Sequence, residues 1–396
     1  MARFINLRPF RDFLKSGQTG GVLLMFAVVV SLILANVGIY EEFHSVLNYS
    51  FGYAPLDLEY STEIWINDGL MAIFFLLVGL EIKRELLEGE LSSVRKAILP
   101  IFAAIGGMVV PAAIYHFFNA GTATANGWGI PMATDIAFAL AVISMLGKRV
   151  PTSLKVFLSA LAIVDDLGAI IVIAVFYTEE LHLNQLLYAG GIIGLLTLMN
   201  FLGVKRLAFY IIPGIFLWYF IHHSGIHATI AGVLLAFTIP TNPVKEESPL
   251  ERLEHSIVGP VNYIIMPIFA LANTNIRFRA EMIDGLTSPM GLGIICGLLI
   301  GKTLGITMFS FLSVKLGWSS LPSRSTWKHI MGLGMLAGIG FTMSVFIALL
   351  SFNSPEFHDE AKFSILATSL TAGILGYAYL SLVYRRRVKK MTGENL

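Results

Sequence analysis

The stretch ALAIVDDLGAIIV, residues 160–172, places two adjacent carboxylates, Asp165 and Asp166, inside a run that is otherwise hydrocarbon. If that run lies in a bilayer, each acid at its centre costs roughly 2.5–3.5 kcal/mol on insertion scales. The rest of the chain says where the run lies and what offsets the cost.

The chain is built for lipid. Of its 396 residues 56% are hydrophobic and 13% charged, about half the charged share of soluble domains. A span needs about 20 apolar residues. Twelve candidates follow, near 17–37, 62–83, 98–118, 128–147, 155–177, 185–203, 207–222, 226–240, 256–275, 290–313, 328–351 and 361–383. The pattern predicts an all-α polytopic membrane protein with twelve transmembrane helices, one integral domain over residues 1–396. The first apolar run exceeds a signal-peptide core and no convincing small-x-small site follows it, so an uncleaved first span is expected. A net charge of +1 gives no electrostatic case for nucleic acid, and the single Cys296 excludes an intrachain disulfide.

Orientation follows from lysine and arginine placement. With the N-terminus inside, the inner tails and loops hold 23 of the 27 basic residues, from Arg3 through Lys245 to the C-terminal RRRVKK. Only Arg277, Arg279 and Lys362 fall at the outer side, and Lys302 is left within a span. Both termini are expected in the cytoplasm. An odd number of spans would scramble the asymmetry.

Two spans look interrupted. GWGIPMATDIAFALAV is broken by Pro131 and by Thr134–Asp135, and LAGIGFTMSVF by Gly338, Gly340, Thr342 and Ser344. Each is the middle member of a three-span set, spans three to five and ten to twelve. Breaks at matching positions point to inverted repeats with a binding site where half-helices meet. Glycine that merely lets helices pack closely would explain one break, but less readily two in register.

The deep ionisable residues are Asp135, Asp165, Asp166 and Lys302. The simpler reading is that they pair to hold helices together, yet buried pairs stabilise weakly because desolvation offsets the attraction. Three acids against one base also leave a carboxylate over, and intramembrane acids mark pathways and relays. Neighbours on a helix point about 100° apart, so one of Asp165 and Asp166 can pair with Lys302 while the other lines a cavity. Asp135 suits a positive half-helix N-terminus and Lys302 a negative C-terminus. Low dielectric favours a carboxylate that holds either a proton or a cation. Oxygen ligands without thiolate or clustered histidine suit Na⁺ or Li⁺. A site that trades one for the other belongs to a cation/proton exchanger and needs no cofactor.

At these residues the sequence resembles the NhaA family of bacterial sodium/proton antiporters over nearly its whole length. The matching stretches run in order: WINDGLMAIFFLLVGLEIKRELLEGEL, PMATDIAFALAV, ALAIVDDLGAIIVIAVFY, SGIHATIAGV, LEHSIVGPVNYIIMPIFALANTNI, GKTLGI and AGIGFTMSVFIALLSF. The resemblance implies crossed, broken fourth and eleventh helices, with Asp166 as principal cation ligand, Asp165 beside it, Thr134 as an auxiliary oxygen, and Asp135 and Lys302 balancing the crossing. It implies electrogenic, pH-dependent exchange in the bacterial inner membrane, more protons entering than Na⁺ leaving, and a homodimer joined through the outer segment 41–61. It also implies a pH-sensing set at Glu81, Arg84, Glu85, Arg252, Glu254 and His255, with His227 near the outer side. Taken alone, each of these is more simply a solvated charge or a satisfied histidine. Glu251, where a base is usual, and Thr303, where proline is usual, depart from the pattern.

Rival readings fit less well. Intramembrane aspartyl proteases carry Tyr-Asp and Gly-x-Gly-Asp contexts, and membrane prenyltransferases spaced Asp-rich motifs near the surface, none of which occurs here. A cation channel needs no midplane lysine. The expectation is a transporter, not an enzyme.

Overall fold

A computed structural model describes residues 8–178, 181–241, 247–279 and 281–392. Of the orientation-setting bases, Arg3 and Lys245 lie outside the described residues.

Among the described residues nine helices are long and apolar enough to cross a membrane: Thr19–Asn36, Thr62–Leu87, Val94–Asn119, Ala125–Met145, Thr152–Phe176, Leu183–Phe201, Pro249–Asn273, Pro289–Lys315 and Pro355–Arg385. A tenth span is the pair Trp327–Ala337 and Phe341–Ser351, bent by 47°. The two remaining expected spans are shorter helices, Ala208–His222 and Ile230–Thr238. The second has nine of the fifteen residues expected for 226–240, because residues 226–229 form a turn and the helix ends at Thr238. This is a polytopic helical membrane protein. Its outward surface carries large apolar side chains such as Phe117 and Phe201, 80% and 92% exposed, as a surface facing lipid requires.

Helices 94–119 and 289–315 make the closest crossing. A Cβ on Gly305 would strike the backbone carbonyl of Gly106, and one on Gly106 would strike that of Gly305. Only two hydrogens let these backbones touch, which is how small residues drive packing where lipid removes the hydrophobic incentive. The contact fixes helix 289–315, and therefore Lys302, against helix 94–119.

Both expected breaks are present. The fourth span begins as a 3-10 turn, Ala125–Met132, becomes extended at Ala133 and Asp135, and resumes as helix Ile136–Met145. Pro131 lies inside the 3-10 stretch, so the interruption falls two residues later than the proline. The eleventh span opens at Gly338–Gly340 between its two halves. Three further spans contain wide π-helical turns, at Trp65–Leu70, Val261–Ile265 and Gly297–Gly301, the last ending against Lys302. Such turns recur at functional sites.

Residues 40–61 form helix Tyr40–Asn48 and a hairpin of Ser50–Tyr53 with Leu58–Ser61. The strands are antiparallel with Phe51 opposite Tyr60, and Asp57 takes a left-handed φ of 50° at the turn. Trp65 anchors the hairpin by donating its indole N–H to Phe51 O at 3.0 Å.

Candidate functional site

The broken spans meet where their loose ends satisfy one another. In an apolar interior a helix end left open costs free energy for each orphaned group. Asp135 closes two ends at once. Its Oδ1 accepts from Phe138 N at 3.0 Å, capping helix 136–145. Its Oδ2 accepts from Thr342 N at 3.2 Å and Thr342 Oγ1 at 2.6 Å, at the start of helix 341–351. The extended backbone joins in, since Asp135 N donates to Ile339 O at 2.7 Å. Ser344 Oγ reaches back to Ile130 O at 2.7 Å.

The carbonyl ends are held by the opposite chemistry. Lys302 Nζ, fully buried, donates to Met132 O at the end of the 3-10 half-helix, to Thr134 Oγ1 at 2.9 Å, and to Asp165 Oδ2, with which it forms an ion pair. Those three acceptors match the three ammonium protons. Thr134 Oγ1 also lies 2.6 Å from Asp165 Oδ2 and 3.0 Å from Ala337 O, the last carbonyl of helix 327–337. It has one proton to give, so it serves one of these acceptors at a time.

Asp165 and Asp166 diverge as the helical repeat requires. Asp165 turns to Lys302 and Thr134 and keeps Oδ1 without a hydrogen-bond partner. Asp166, equally buried, has no ion pair among the described residues, and its Oδ1 also lacks a partner. It lines a cavity of about 50 Å³ (the space open to centres of water molecules) together with Thr134, Asp135, Thr342, Glu81 and Asn262. A water needs about 10–15 Å³ by that measure, so the cavity has room for a few waters or one partly hydrated cation. Four of its lining side chains offer a carboxylate or hydroxyl oxygen from the crossing itself, and no thiolate or imidazole lines it.

The residues proposed for pH sensing are only partly together. Arg84 pairs with Glu254 at 3.1 Å and lies 3.8 Å from Glu85, while Glu81 is buried at the cavity wall a turn away on the same helix. Arg252 and His255 turn aside to Glu247: Arg252 Nε donates to its carbonyl at 3.3 Å, and His255 Nδ1 lies 2.7 Å from its carboxylate. Glu251 has a local task, since its Oε2 accepts from Ser248 N at 2.8 Å in a capping box that starts helix 249–273. Thr303, the other departure, donates back to Leu299 O at 2.8 Å within its own helix. His227 sits in the turn before helix 230–238.

Sequence reasoning missed two participants. Thr342 was visible only as part of an interruption, and Met132 contributes a backbone carbonyl that no side chain announces.

Comparison with known proteins places the chain among relatives of one kind. The family model Na+/H+ antiporter 1 matches residues 11–380. A Na(+)/H(+) antiporter NhaA 2 from Flavobacterium johnsoniae is 60% identical over 96% of this chain and 94% of that protein. NhaA of Flavobacterium psychrophilum is 49% identical over 96% and 97%, and NhaA of Escherichia coli O139:H28 is 48% identical over 96% and 100%.

Proposed function

Because this chain belongs to the Na+/H+ antiporter 1 family, we propose that it exchanges Na⁺, and Li⁺, for protons across the bacterial inner membrane, with both termini in the cytoplasm. The observation that carries the reading is Asp166: a buried carboxylate without an ion pair among the described residues, lining a cavity where two broken spans cross.

The chemistry follows from the oxygens. A carboxylate in that cavity holds a proton or a cation through the same atoms, so loading one expels the other. Asp165, whose Oδ1 has no hydrogen-bond partner, is the second ligand, and Thr134 brings a hydroxyl from the cavity wall. Lys302 holds the local charge balance, so that the cavity need hold only the charge in transit. The wall opposite the crossing is made by helices 62–87 and 249–273, through Phe74, Leu77, Glu81 and Met266. Sliding the crossing against this wall exposes Asp166 to one side of the membrane and then to the other. Glu81 and the Arg84–Glu254 pair stand along that route, which supports a pH dependence set there. Electrogenic exchange, with more protons entering than Na⁺ leaving, follows in this scheme when both carboxylates take part: Asp165 and Asp166 each carry a proton in and together hold one Na⁺ on its way out. The exposed outer hairpin supports a homodimer contact.

The test uses purified protein in vesicles with an imposed proton gradient read by a pH-sensitive dye. Added Na⁺ should collapse the gradient, and Asp166→Asn, which keeps shape but removes the titratable oxygen, should abolish the response. Exchange at near wild-type rate in Asp166→Asn would sink the shared-site mechanism.

A further inference from the structure

A second site lies on the base-rich face, away from the crossing. Helices 94–119 and 152–176 begin side by side, and residues 320–323, in the turn before helix 327–337, close over them. Between them is an open cleft of about 420 Å³. Its rim carries Arg95, Lys96, Glu90, Ser153, Ser320 and Ser323. Glu90 is the only acid among these, and Lys96 already neutralises it at 3.5 Å. Arg95 has no ion pair among the described residues. Neither flanking segment, 143–164 or 313–331, contains an Asp or Glu.

Both helices also arrive uncapped. The residue before helix 152–176 is Pro151, which has no side-chain acceptor, and Ser93 makes no side-chain cap to helix 94–119. Two sets of first-turn N–H groups and two positive dipole ends therefore meet a guanidinium without a counter-charge. The hydroxyls of Ser320 and Ser323 add donors, while Ser153 Oγ is already given to Ser323 O at 2.6 Å. This many convergent donors exceeds what one carboxylate accepts and suits the several oxygens of a phosphate. The floor is different. Val156, Phe157 and Ala160 form one apolar face of helix 152–176, continued by Leu99 and Leu321. From Ser153 to Ala160 that face runs about 10 Å along the axis.

We propose that this cleft binds a phosphate ester whose anionic group sits among Arg95, Lys96 and the two helix starts and whose apolar part lies along the helix 152–176 floor. A phospholipid of the adjoining leaflet and a soluble phosphate share that chemistry, and the assay separates them. The site does not depend on the exchange reading. Its occupant would tie the end of the helix that carries Asp165 and Asp166 to the turn that leads into the broken eleventh span.

The experiment titrates full-length protein in neutral detergent with dioleoyl phosphatidylglycerol, with dioleoylglycerol, which lacks the phosphate, and with inorganic phosphate, following thermal stability. Phosphatidylglycerol should stabilise the wild type where dioleoylglycerol does not. R95Q/K96Q should weaken its apparent affinity by about tenfold or more, as loss of charge-assisted bonds predicts. Stabilisation by inorganic phosphate with the same sensitivity to R95Q/K96Q also supports the site and assigns a soluble source. Equal stabilisation by dioleoylglycerol, an unchanged affinity in R95Q/K96Q, or no response to any probe overturns it. If the double variant does not fold, Arg95→Gln alone, which breaks no ion pair, and S320A/S323A give the same comparison.

Discussion

Asp135→Ala tests the crossing most directly, because one carboxylate closes two helices that lie 207 residues apart in sequence. The substitution orphans Phe138 N–H and Thr342 N–H inside the membrane, while the Thr342 hydroxyl can rotate to another acceptor. Loss of an N-cap costs about 0.5–2 kcal/mol per helix, and a buried unsatisfied donor about 1–3 kcal/mol. For two helices the scales overlap near 2–4 kcal/mol. Asp135→Asn keeps one acceptor oxygen and one cap, so it should cost about half as much, ~1–2 kcal/mol. Extrapolating the size scaling of Tm to this chain gives about 1–2 °C per kcal/mol, hence about 2–8 °C for Asp135→Ala. Thermal unfolding in detergent measures the shift, and a cycle with Thr342→Val should show a coupling of about 0.5 kcal/mol or more, since the two side chains touch. An Asp135→Ala protein that melts with the wild type, or an Asn variant as damaged as the Ala variant, would refute the shared cap.

Lys302→Ala should lower thermal stability by about 3–5 kcal/mol, the cost of breaking a buried ion pair, and abolish exchange. Lys302→Arg retains the charge; because all three ammonium protons are already held by acceptors, voltage generation in vesicles should persist, and its loss would make the lysine a proton carrier. Glu251→Gln keeps the capping box, which accepts Gln as well as Glu, but removes a negative charge near Arg84. Its exchange profile should move to more acid pH, by less as salt rises, and an unchanged profile at low salt would leave Glu251 with the cap alone. Gly305→Leu should prevent the approach to Gly106 and give protein that fails to accumulate in the membrane, whereas wild-type yield would mean that the crossing can splay.

The residue types announced what a single segment could carry. Thr134–Asp135 and the glycines around 339 marked the breaks because polar and glycine residues weaken a helix wherever they occur. The 100° step was enough to send Asp165 and Asp166 to different partners. Contacts between segments were not legible. Thr342 reaches Asp135, and Met132 O reaches Lys302, across 207 and 170 residues, and a backbone carbonyl leaves no trace in the side-chain code. The π-helical turn before Lys302 was equally silent, since it changes the angle of the helix without a residue type of its own. The grouping of Arg252 and His255 with Glu81 came from the family resemblance alone, and no residue type in the chain announces that both side chains also engage Glu247.

The shared cap also has a meaning in time. Synthesis runs at about 5–20 residues per second, so the 207 residues between Asp135 and Thr342 take roughly 10–40 s to emerge. Lys302 follows Asp165 by 137 residues, or roughly 7–27 s at the same rate. During that interval Asp135 and Asp165 reach the insertion machinery before Thr342 and Lys302 exist. The first half of the chain must therefore wait in a hydrated or protonated form, with its fourth and fifth spans held short of full burial. Nascent chains stalled before residue 302 should leave Asp165 and Asp166 open to water-soluble carboxyl reagents, and chains stalled well beyond residue 342 should protect them.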